Sequence, residues 1–279
     1  MFTIRLSLIT LSAPLGGILY TAGGFSLPYA AVGMLGCVAI VAMRILLRHP
    51  YNAPQHPASI LGIVTMPGAM AAFFSAFVSV YVWSGMDTIW QPWLGSVPYK
   101  WPPAQIATVA ACAGGVQLVG IPLVGMPFSA VFGEGVALLV GMPLQFFVSP
   151  LLMGNPPWLF PTLANDPPVW VPYAAIVISA LGAALTAVPM FSLPMKAVTQ
   201  TGLSQEQAAT PVGVMTMLMM YVGYGLGPIA NGQVMEVGGV TAAAMVNLGL
   251  GVLAYVLVVS LNWQTLFPGG DATPKSVEP

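Results

Sequence analysis

The sequence predicts an all-α membrane protein, a bundle of about eight transmembrane helices. Hydrophobic residues make up 57% of the 279 residues and charged residues only 5%, a composition that does not suit a water-soluble surface. The sparse charges leave long apolar runs between them, and about 20 apolar residues are enough to cross a hydrocarbon core about 30 Å thick. The runs lack the alternation of apolar and polar residues that is typical of a transmembrane β-barrel.

Eight apolar runs are the predicted spans. In order along the chain they cover residues 3–22, 27–47, 59–84, 104–126, 134–153, 171–194, 208–231 and 239–261. Gly and Pro are frequent inside them, which membrane helices tolerate. We expect residues 1–48 to form two helices apart from a six-helix bundle at 59–265. A polar cytosolic linker at 49–58 joins the two parts, and a polar cytosolic tail covers 266–279.

One stretch of the sequence occurs twice. Residues 13–24 read APLGGILYTAGG, and residues 227–239 read GPIANGQVMEVGG, with Gly17 aligned on Gly232. In each copy the aligned glycines fall at the end of an apolar run, and the copy ends in a pair of glycines. Parallel internal repeats build many secondary transporters, in which the substrate passes between two related halves. The repeat therefore favours a transporter, of which this sequence holds only part of the first half.

Positive charges predict how the helices are oriented, because Lys and Arg are retained in short cytoplasmic loops. With an even number of spans, Lys100 falls on the far side of the membrane. Five basic residues fall on the near side: Arg5, Arg44, Arg48, Lys196 and Lys275. We therefore expect both termini in the cytosol, and the protein itself in a vesicular, vacuolar or plasma membrane. Two loops rich in Trp and Pro, within 90–103 and 155–170, are expected to be interfacial anchors, with a substrate lid as the alternative.

Asp87 is the strongest candidate for chemistry. It lies in the run VWSGMDTIWQP at residues 82–92, at the expected outer end of the third span. An ionisable group within the membrane is costly, so it is a functional hypothesis by default. A partly desolvated carboxylate beside Trp residues could hold either a proton or an ammonium ion, and that exclusivity is the basis of proton/amine antiport. The alternative is that Asp87 caps the helix end in interfacial water.

The other polar residues indicate structural roles. Glu134 and Glu236 are expected in solvated turns, and Lys196 and Glu206 in a cytosolic loop at 195–207. Cys37 and Cys112 lack the spacing of a metal site or a disulfide, so no metal or cofactor is expected. Motifs for phosphate binding, zinc proteolysis or serine hydrolysis are missing. The sequence therefore predicts that the protein is not an enzyme, and that its partners are lipid and small solutes rather than nucleic acid.

A run of small and aromatic residues precedes the second copy of the repeat. Tyr221 and Tyr224 are candidate lining residues for a substrate path. Gly227, Pro228 and Gly232 are candidates for a conformational motif, together with their earlier counterparts Gly16 and Gly17. Small residues permit close helix approach, while Pro weakens the backbone hydrogen-bond ladder, which suits a helix that bends or slides. Tight static packing is the alternative.

These residues resemble a known family. The run MMYVGYGLGP at 219–228, followed by Gly232, is similar to the eleventh helix of the vesicular amine transporter branch of the major facilitator superfamily. Residues 14–24 are similar to the antiporter motif in the fifth helix of that family, and 85–88 to the acidic part of its seventh. The segment TAVPMF at 186–191 resembles the tenth helix of the polyamine transporter subgroup. The resemblance implies helices five to twelve of that fold, without the first four, and proton-coupled antiport of organic cations.

Departures from the family pattern leave two functional hypotheses. The family's acidic positions in the tenth and eleventh helices are the neutral Thr186 and Met217 here, and no charge occurs at 125–131. These departures favour polyamines or other amines over monoamines. The first hypothesis is an antiporter, or a large fragment of one, that uses Asp87, Tyr221 and Tyr224. The alternative is a transport-incompetent homologue that self-associates or pairs with a full-length transporter.

Overall fold

The structure is a computed structural model that describes residue 19 and residues 26–46, 58–96, 99–154 and 168–267. Every regular element in these ranges is helical. The elements are α1 Ser26–Leu46, α2 Ile60–Val64, α3 Pro67–Gly95, α4 Pro103–Gly120, π1 Ile121–Gly125, α5 Met126–Phe132, α6 Glu134–Pro143, π2 Leu144–Val148, α7 Ser149–Gly154, α8 Trp170–Thr199 and α9 Gln205–Leu266. The first predicted span, apart from Leu19, and the predicted tail, apart from residues 266 and 267, lie outside these ranges. Of the predicted linker, only residue 58 is described.

The chain divides into two compact units, Met1–Gln55 and His56–Pro279. In the first unit the structure describes α1, which coincides closely with the predicted span at 27–47. Its apolar side chains include the exposed Met34, Leu35 and Val38. Arg44 lies in its last turn, where a positive charge is favourable at the negative end of the helix dipole.

Five helices among the described residues are long and apolar enough to cross a membrane. They are Pro67–Gly95, Gln105–Phe132, Glu134–Gly154, Trp170–Thr199 and Gln205–Leu266. The all-helical prediction is confirmed, and these helices indicate a membrane-embedded protein. The last is 62 residues long and is interrupted at Gly239, where φ is 72° and ψ is −175°. Only Gly adopts such backbone angles readily, which explains why the helix breaks at this residue. Gly239 is also the first residue of the last predicted span.

Several helices extend further than the hydropathy of the sequence predicted. The third span was expected to end at residue 84, but α3 continues to Gly95, so Asp87 lies within the helix and not at its end. The loop expected at 195–207 shrinks, because α8 runs to Thr199 and Ser204 caps the start of α9. The gap expected between the spans at 104–126 and 134–153 shrinks to Gly133, whose φ is 87°. Hydropathy marks where a helix leaves the hydrocarbon, whereas a helix continues until its capping residues.

Aromatic residues expected at the membrane interface lie partly in the protein core. Trp90, Trp93 and Trp101 are all more than nine-tenths buried and belong to the main hydrophobic cluster. Tyr99 packs edge-on against Trp93 with a ring separation of 5.5 Å, and burial raises the pKa of Tyr99 to about 12. The interpretation of this loop as a set of interfacial anchors is therefore wrong for these three Trp side chains, although Trp170 is exposed.

Two π-helical segments interrupt the regular helices. The segment π1 continues α4 into α5, and π2 continues α6 into α7. Pro122 lies at the start of π1, and Pro143 directly precedes π2. Because Pro cannot donate its backbone nitrogen to the helical ladder, wider turns at these positions are physically expected. Short π-helical segments are often found at functional sites, and π2 carries the buried side chain of Gln145.

Candidate functional site

Asp87 lies inside α3, eight residues before the helix ends, which is about 12 Å along the helix axis. Its side chain is exposed on the surface of this chain, as is that of Gln91 one turn later. No described residue forms an ion pair with its carboxylate. The hydroxyl of the neighbouring Thr88 donates to the carbonyl oxygen of Ser84, 3.4 Å away, and is therefore directed into the helix. The helix surface thus presents an ionisable group that can meet a ligand.

Helix α3 packs directly against the first segment of α9, residues 205–238. Gly223 lies against Phe77, Gly227 against Ser84, and Gly232 next to Thr88. Since the residue numbers of the contacting positions increase together on both helices, the two helices run in the same direction. A Cβ atom at Gly223 would lie 2.6 Å from the carbonyl oxygen of Phe77, closer than such contacts allow.

Gly227 is the point where the two backbones approach most closely in this contact. A Cβ atom there would lie 2.5 Å from the carbonyl oxygen of Tyr81 and would overlap the Ser84 hydroxyl. At Gly232 the nearest atom would be 3.9 Å away, an ordinary contact, and Gly225 faces open space. Of the predicted conformational motif, the structure therefore assigns close packing to Gly227. Pro228 is half-buried, and Gly16 and Gly17 lie outside the described residues.

The predicted site residues do not form one cluster. The parallel packing places Asp87 level with the part of α9 between Gly227 and Gly232. At 1.5 Å per residue, Tyr224 then lies roughly 9 Å and Tyr221 roughly 13 Å away along the helix axis. Tyr221 is 59% exposed and Tyr224 is half-buried. The three residues follow the same pair of helices at different depths, an arrangement that suits a path more than a single pocket.

Asn231 is a polar residue that the sequence analysis did not single out. It is fully buried at the level of Asp87, directly against Gly85. Its amide nitrogen donates to the carbonyl oxygen of Gly227 in its own helix, 3.0 Å away, and its amide oxygen has no hydrogen-bond partner within the described part of the chain. Such an oxygen is costly to bury, so Asn231 is a candidate for a functional or conformational role beside the acidic residue.

A second polar cluster, also missed from the sequence, joins α3, π2 and α8. Gln145 is 1% exposed. Its amide nitrogen donates to the backbone oxygen of Ser79 at 3.2 Å, and its amide oxygen accepts from the Ser79 hydroxyl at 3.2 Å and from the Thr186 hydroxyl at 3.4 Å. A Cβ atom at Gly182 would lie 2.6 Å from the backbone nitrogen of Gln145, so the two helices meet closely here. The amide thus bridges two neighbouring helices.

One ion pair is found among the described residues. The ammonium of Lys196, in the last turn of α8, lies 2.6 Å from the carboxylate of Glu134 at the start of α6. The Ser192 hydroxyl donates to the same carboxylate oxygen at 2.5 Å. The expectation that Glu134 is a solvated turn residue is therefore wrong, as is the placement of Lys196 in a loop. A cavity of about 170 Å³, lined in part by Pro189 and Thr265, adjoins the pair.

Within the described ranges, no group of three His, Cys, Asp or Glu side chains lies close enough to hold a metal ion. Cys37 and Cys112 are both unpaired and exposed. The candidate groups described above are therefore the exposed carboxylate of Asp87, the buried amides of Asn231 and Gln145, and the ion pair of Glu134 with Lys196. No model of a known protein family matches the sequence, and no curated protein matches it either.

Proposed function

We propose that the protein is a multi-pass membrane transporter, or a large part of one, that exchanges protons for organic cations such as polyamines. One observation carries the proposal. Asp87 is an exposed carboxylate two turns inside a membrane-length helix, and no described residue neutralises it. Placing a carboxylate at membrane depth costs about 3 kcal/mol on insertion scales, so we expect a carboxylate at this position to have a function.

The proposed exchange follows from the chemistry of a carboxyl group. A deprotonated Asp87 attracts a cation, whereas a protonated one is neutral and has no charge to hold it. Protons and organic cations therefore compete for the same group, and each can drive the other across the membrane. Tyr221 and Tyr224 lie along the adjacent helix, at depths away from Asp87, where aromatic faces could hold a passing ammonium group.

The packing of α3 on α9 supports movement during such a cycle. Glycines bring the backbone of α3 close to that of the first segment of α9, and among the described side chains the Ser84 hydroxyl bonds between them; Pro228 lies in the same segment. Helices in contact through small residues can shift relative to each other, and Pro marks positions where a helix bends. In this proposal the protein lies in a vesicular, vacuolar or plasma membrane with both termini in the cytosol.

The test is transport by the purified chain in liposomes that carry a pH gradient, with labelled spermidine as the probe. We expect uptake that collapses when the gradient is dissipated, and that falls at least tenfold in Asp87→Asn with no change in reconstituted protein. Glu236→Gln is the matched control, because Glu236 is an exposed carboxylate next to the break at Gly239. Asp87→Glu should keep part of the uptake.

Uptake by Asp87→Asn equal to that of the native protein would exclude a role for this carboxylate. No uptake by the native protein in any condition, combined with its recovery from membranes in a complex with a longer homologue, would favour the transport-incompetent partner. The two outcomes are separable, because the first measures a variant against a working protein and the second measures the native protein itself.

A further inference from the structure

A small cavity lies where α3, the α6–π2 helix and α8 meet. Its volume is about 10 Å³, close to the space that a single buried water requires. Three hydroxyl-bearing residues line it, all more than nine-tenths buried: Ser75, Ser79 and Thr186. The remaining lining is apolar and consists of Leu138, Met142, Phe146 and Met190.

The hydroxyl protons of all three polar residues are directed to acceptors of the protein. Ser75 donates to the carbonyl oxygen of Ala72 at 2.8 Å, and Ser79 donates to the amide oxygen of Gln145 at 3.2 Å. Thr186 has acceptors at 3.1 to 3.4 Å, of which the carbonyl oxygen of Gly182 is the nearest. Because a hydroxyl has one proton and two lone pairs, what remains for the cavity is a set of three acceptors.

We propose that this cavity binds one water molecule, which donates its two hydrogen bonds to hydroxyl oxygens of Ser75, Ser79 or Thr186. A buried water is stable where two to four polar partners surround it, and these three residues meet that requirement. Anions are excluded because the cavity offers them no donor. The inference goes beyond the proposed transport function and does not depend on it.

The water connects helices that few other polar contacts join. Ser75 and Ser79 lie on α3, and Thr186 lies on α8. Gln145 contacts Ser79 and Thr186 from π2, one residue before the cavity-lining Phe146. A bridging water is nearly as strong as a direct hydrogen bond. It therefore adds a second polar link between α3 and α8 beside the amide of Gln145.

The experiment is radiolytic labelling of the purified full chain in detergent. An X-ray pulse generates hydroxyl radicals from bound as well as bulk water, and these radicals oxidise nearby Met side chains, which mass spectrometry detects. Pairs of equally buried residues in the same chain are the controls. Met142 and Met153 are each 2% exposed, and Met190 and Met215 are each 7% exposed. We expect several-fold faster oxidation of the cavity residue in each pair.

Two variants make the labelling specific. Thr186→Val and Ser75→Ala each remove one of the three acceptors, and together they leave only Ser79; in the double variant we expect the oxidation rate of Met142 to fall to that of Met153. Thr199→Val is the matched control, since Thr199 lies on the same helix and does not line the cavity. Equal rates for Met142 and Met153 in the native protein would overturn the proposal. That comparison needs no variant, so it holds even if a substitution prevents folding.

Discussion

Two of the helix contacts in this protein are built from the same parts, a glycine set against a buried amide side chain. In the first contact, Gly85 of α3 lies against Asn231 of α9. In the second, Gly182 of α8 lies against Gln145 of π2. We refer to them as the α3–α9 contact and the π2–α8 contact. Both bring backbones close together, but the two amides bond in different ways.

Gln145 bonds across helices, whereas Asn231 bonds within its own. Gln145 makes hydrogen bonds to Ser79 on α3 and to Thr186 on α8. Asn231 donates to Gly227 in α9, and its amide oxygen is left without a partner. Across the α3–α9 contact, the Ser84 hydroxyl has two acceptors for its single proton. They are the carbonyl oxygen of Gly223 in α9 at 3.3 Å and the carbonyl oxygen of Tyr81 in its own helix at 3.4 Å. Directional bonds of Gln145 thus hold π2 to α3, with a longer bond to α8, whereas the first segment of α9 packs on α3 mainly by shape.

This difference indicates which part of the protein can move. Sliding the first segment of α9, residues 205–238, along α3 would break little hydrogen bonding, whereas the second segment is tied to α3 by the amide nitrogen of Asn262, which donates to the carbonyl oxygen of Gly68 at 3.1 Å. Moving π2 relative to α3 or α8 would leave a buried amide unsatisfied, at a cost of about 1–3 kcal/mol per group. Asp87 lies beside the contact that depends on shape. In the proposed function, the carboxylate that binds and releases ligands thus lies beside the contact with the fewest directional bonds, and away from the amide of Gln145.

The largest effect on stability is expected from Gly227→Ala. The new Cβ atom would lie 2.5 Å from the carbonyl oxygen of Tyr81, and a backbone atom cannot move aside as a flexible side chain can. We expect a destabilisation of about 3 kcal/mol, at the upper end for overpacking. Gly225→Ala on the same helix meets open space and should stabilise the helix by up to about 1 kcal/mol.

Unfolding by sodium dodecyl sulfate in mixed micelles, followed by circular dichroism, measures both variants. If Gly227→Ala and Gly225→Ala unfolded at the same detergent fraction, the α3–α9 contact would not depend on close packing. The interpretation of Gly227 as a close-packing residue would then fail, and flexibility alone would remain as its role.

The two amides themselves should differ in the next prediction. Gln145→Ala removes hydrogen bonds to two helices and leaves a cavity, so we expect a destabilisation of about 2–3 kcal/mol. Asn231→Ala removes one bond within a helix and also removes a buried oxygen that has no partner, so we expect about 1 kcal/mol or less. The same detergent titration compares them. A larger loss for Asn231→Ala would reverse the assignment of the fixed and the movable contact.

The sequence predicted the positions of apolar helices better than their ends. The span at 134–153 coincides with Glu134–Gly154, and the break at Gly239 falls on the first residue of the last predicted span. The end of α3 was missed by 11 residues, because Gln91 and Pro92 lower the hydropathy without ending the helix. Asp87 was therefore identified as the residue of interest but was assigned to the end of the helix.

Gln145 and Asn231 were missed for a different reason. Each is a single amide in an apolar run, a signal that was visible in the sequence, since a polar group at membrane depth is retained only where it has a partner or a function. What could not be read was the partner. Whether an amide bonds to a neighbouring helix or to its own depends on which faces meet, and that follows from packing. Hydropathy averages over both cases.

The smallest effect is expected at the ion pair of Glu134 and Lys196, which joins the start of α6 to the last turn of α8. Its charged atoms are 2.6 Å apart, but the two side chains are 29% and 51% exposed. Water screens such pairs, so we expect a coupling energy below about 1 kcal/mol. Ser192 holds the same carboxylate oxygen, and the start of α6 favours a negative charge there, so Glu134 keeps partners when Lys196 is removed.

A double-mutant cycle of Glu134→Gln and Lys196→Met measures this coupling, with unfolding followed at low and at high salt. We expect the coupling to shrink as the salt concentration rises, because exposed charges are screened. Ser192→Ala separates the hydroxyl contribution from that of the ammonium. A salt-independent coupling above about 2 kcal/mol would mean that the pair is effectively buried. The rigidity of the contact between the α6–π2 helix and α8 would then depend on this charge pair as well as on the amide of Gln145.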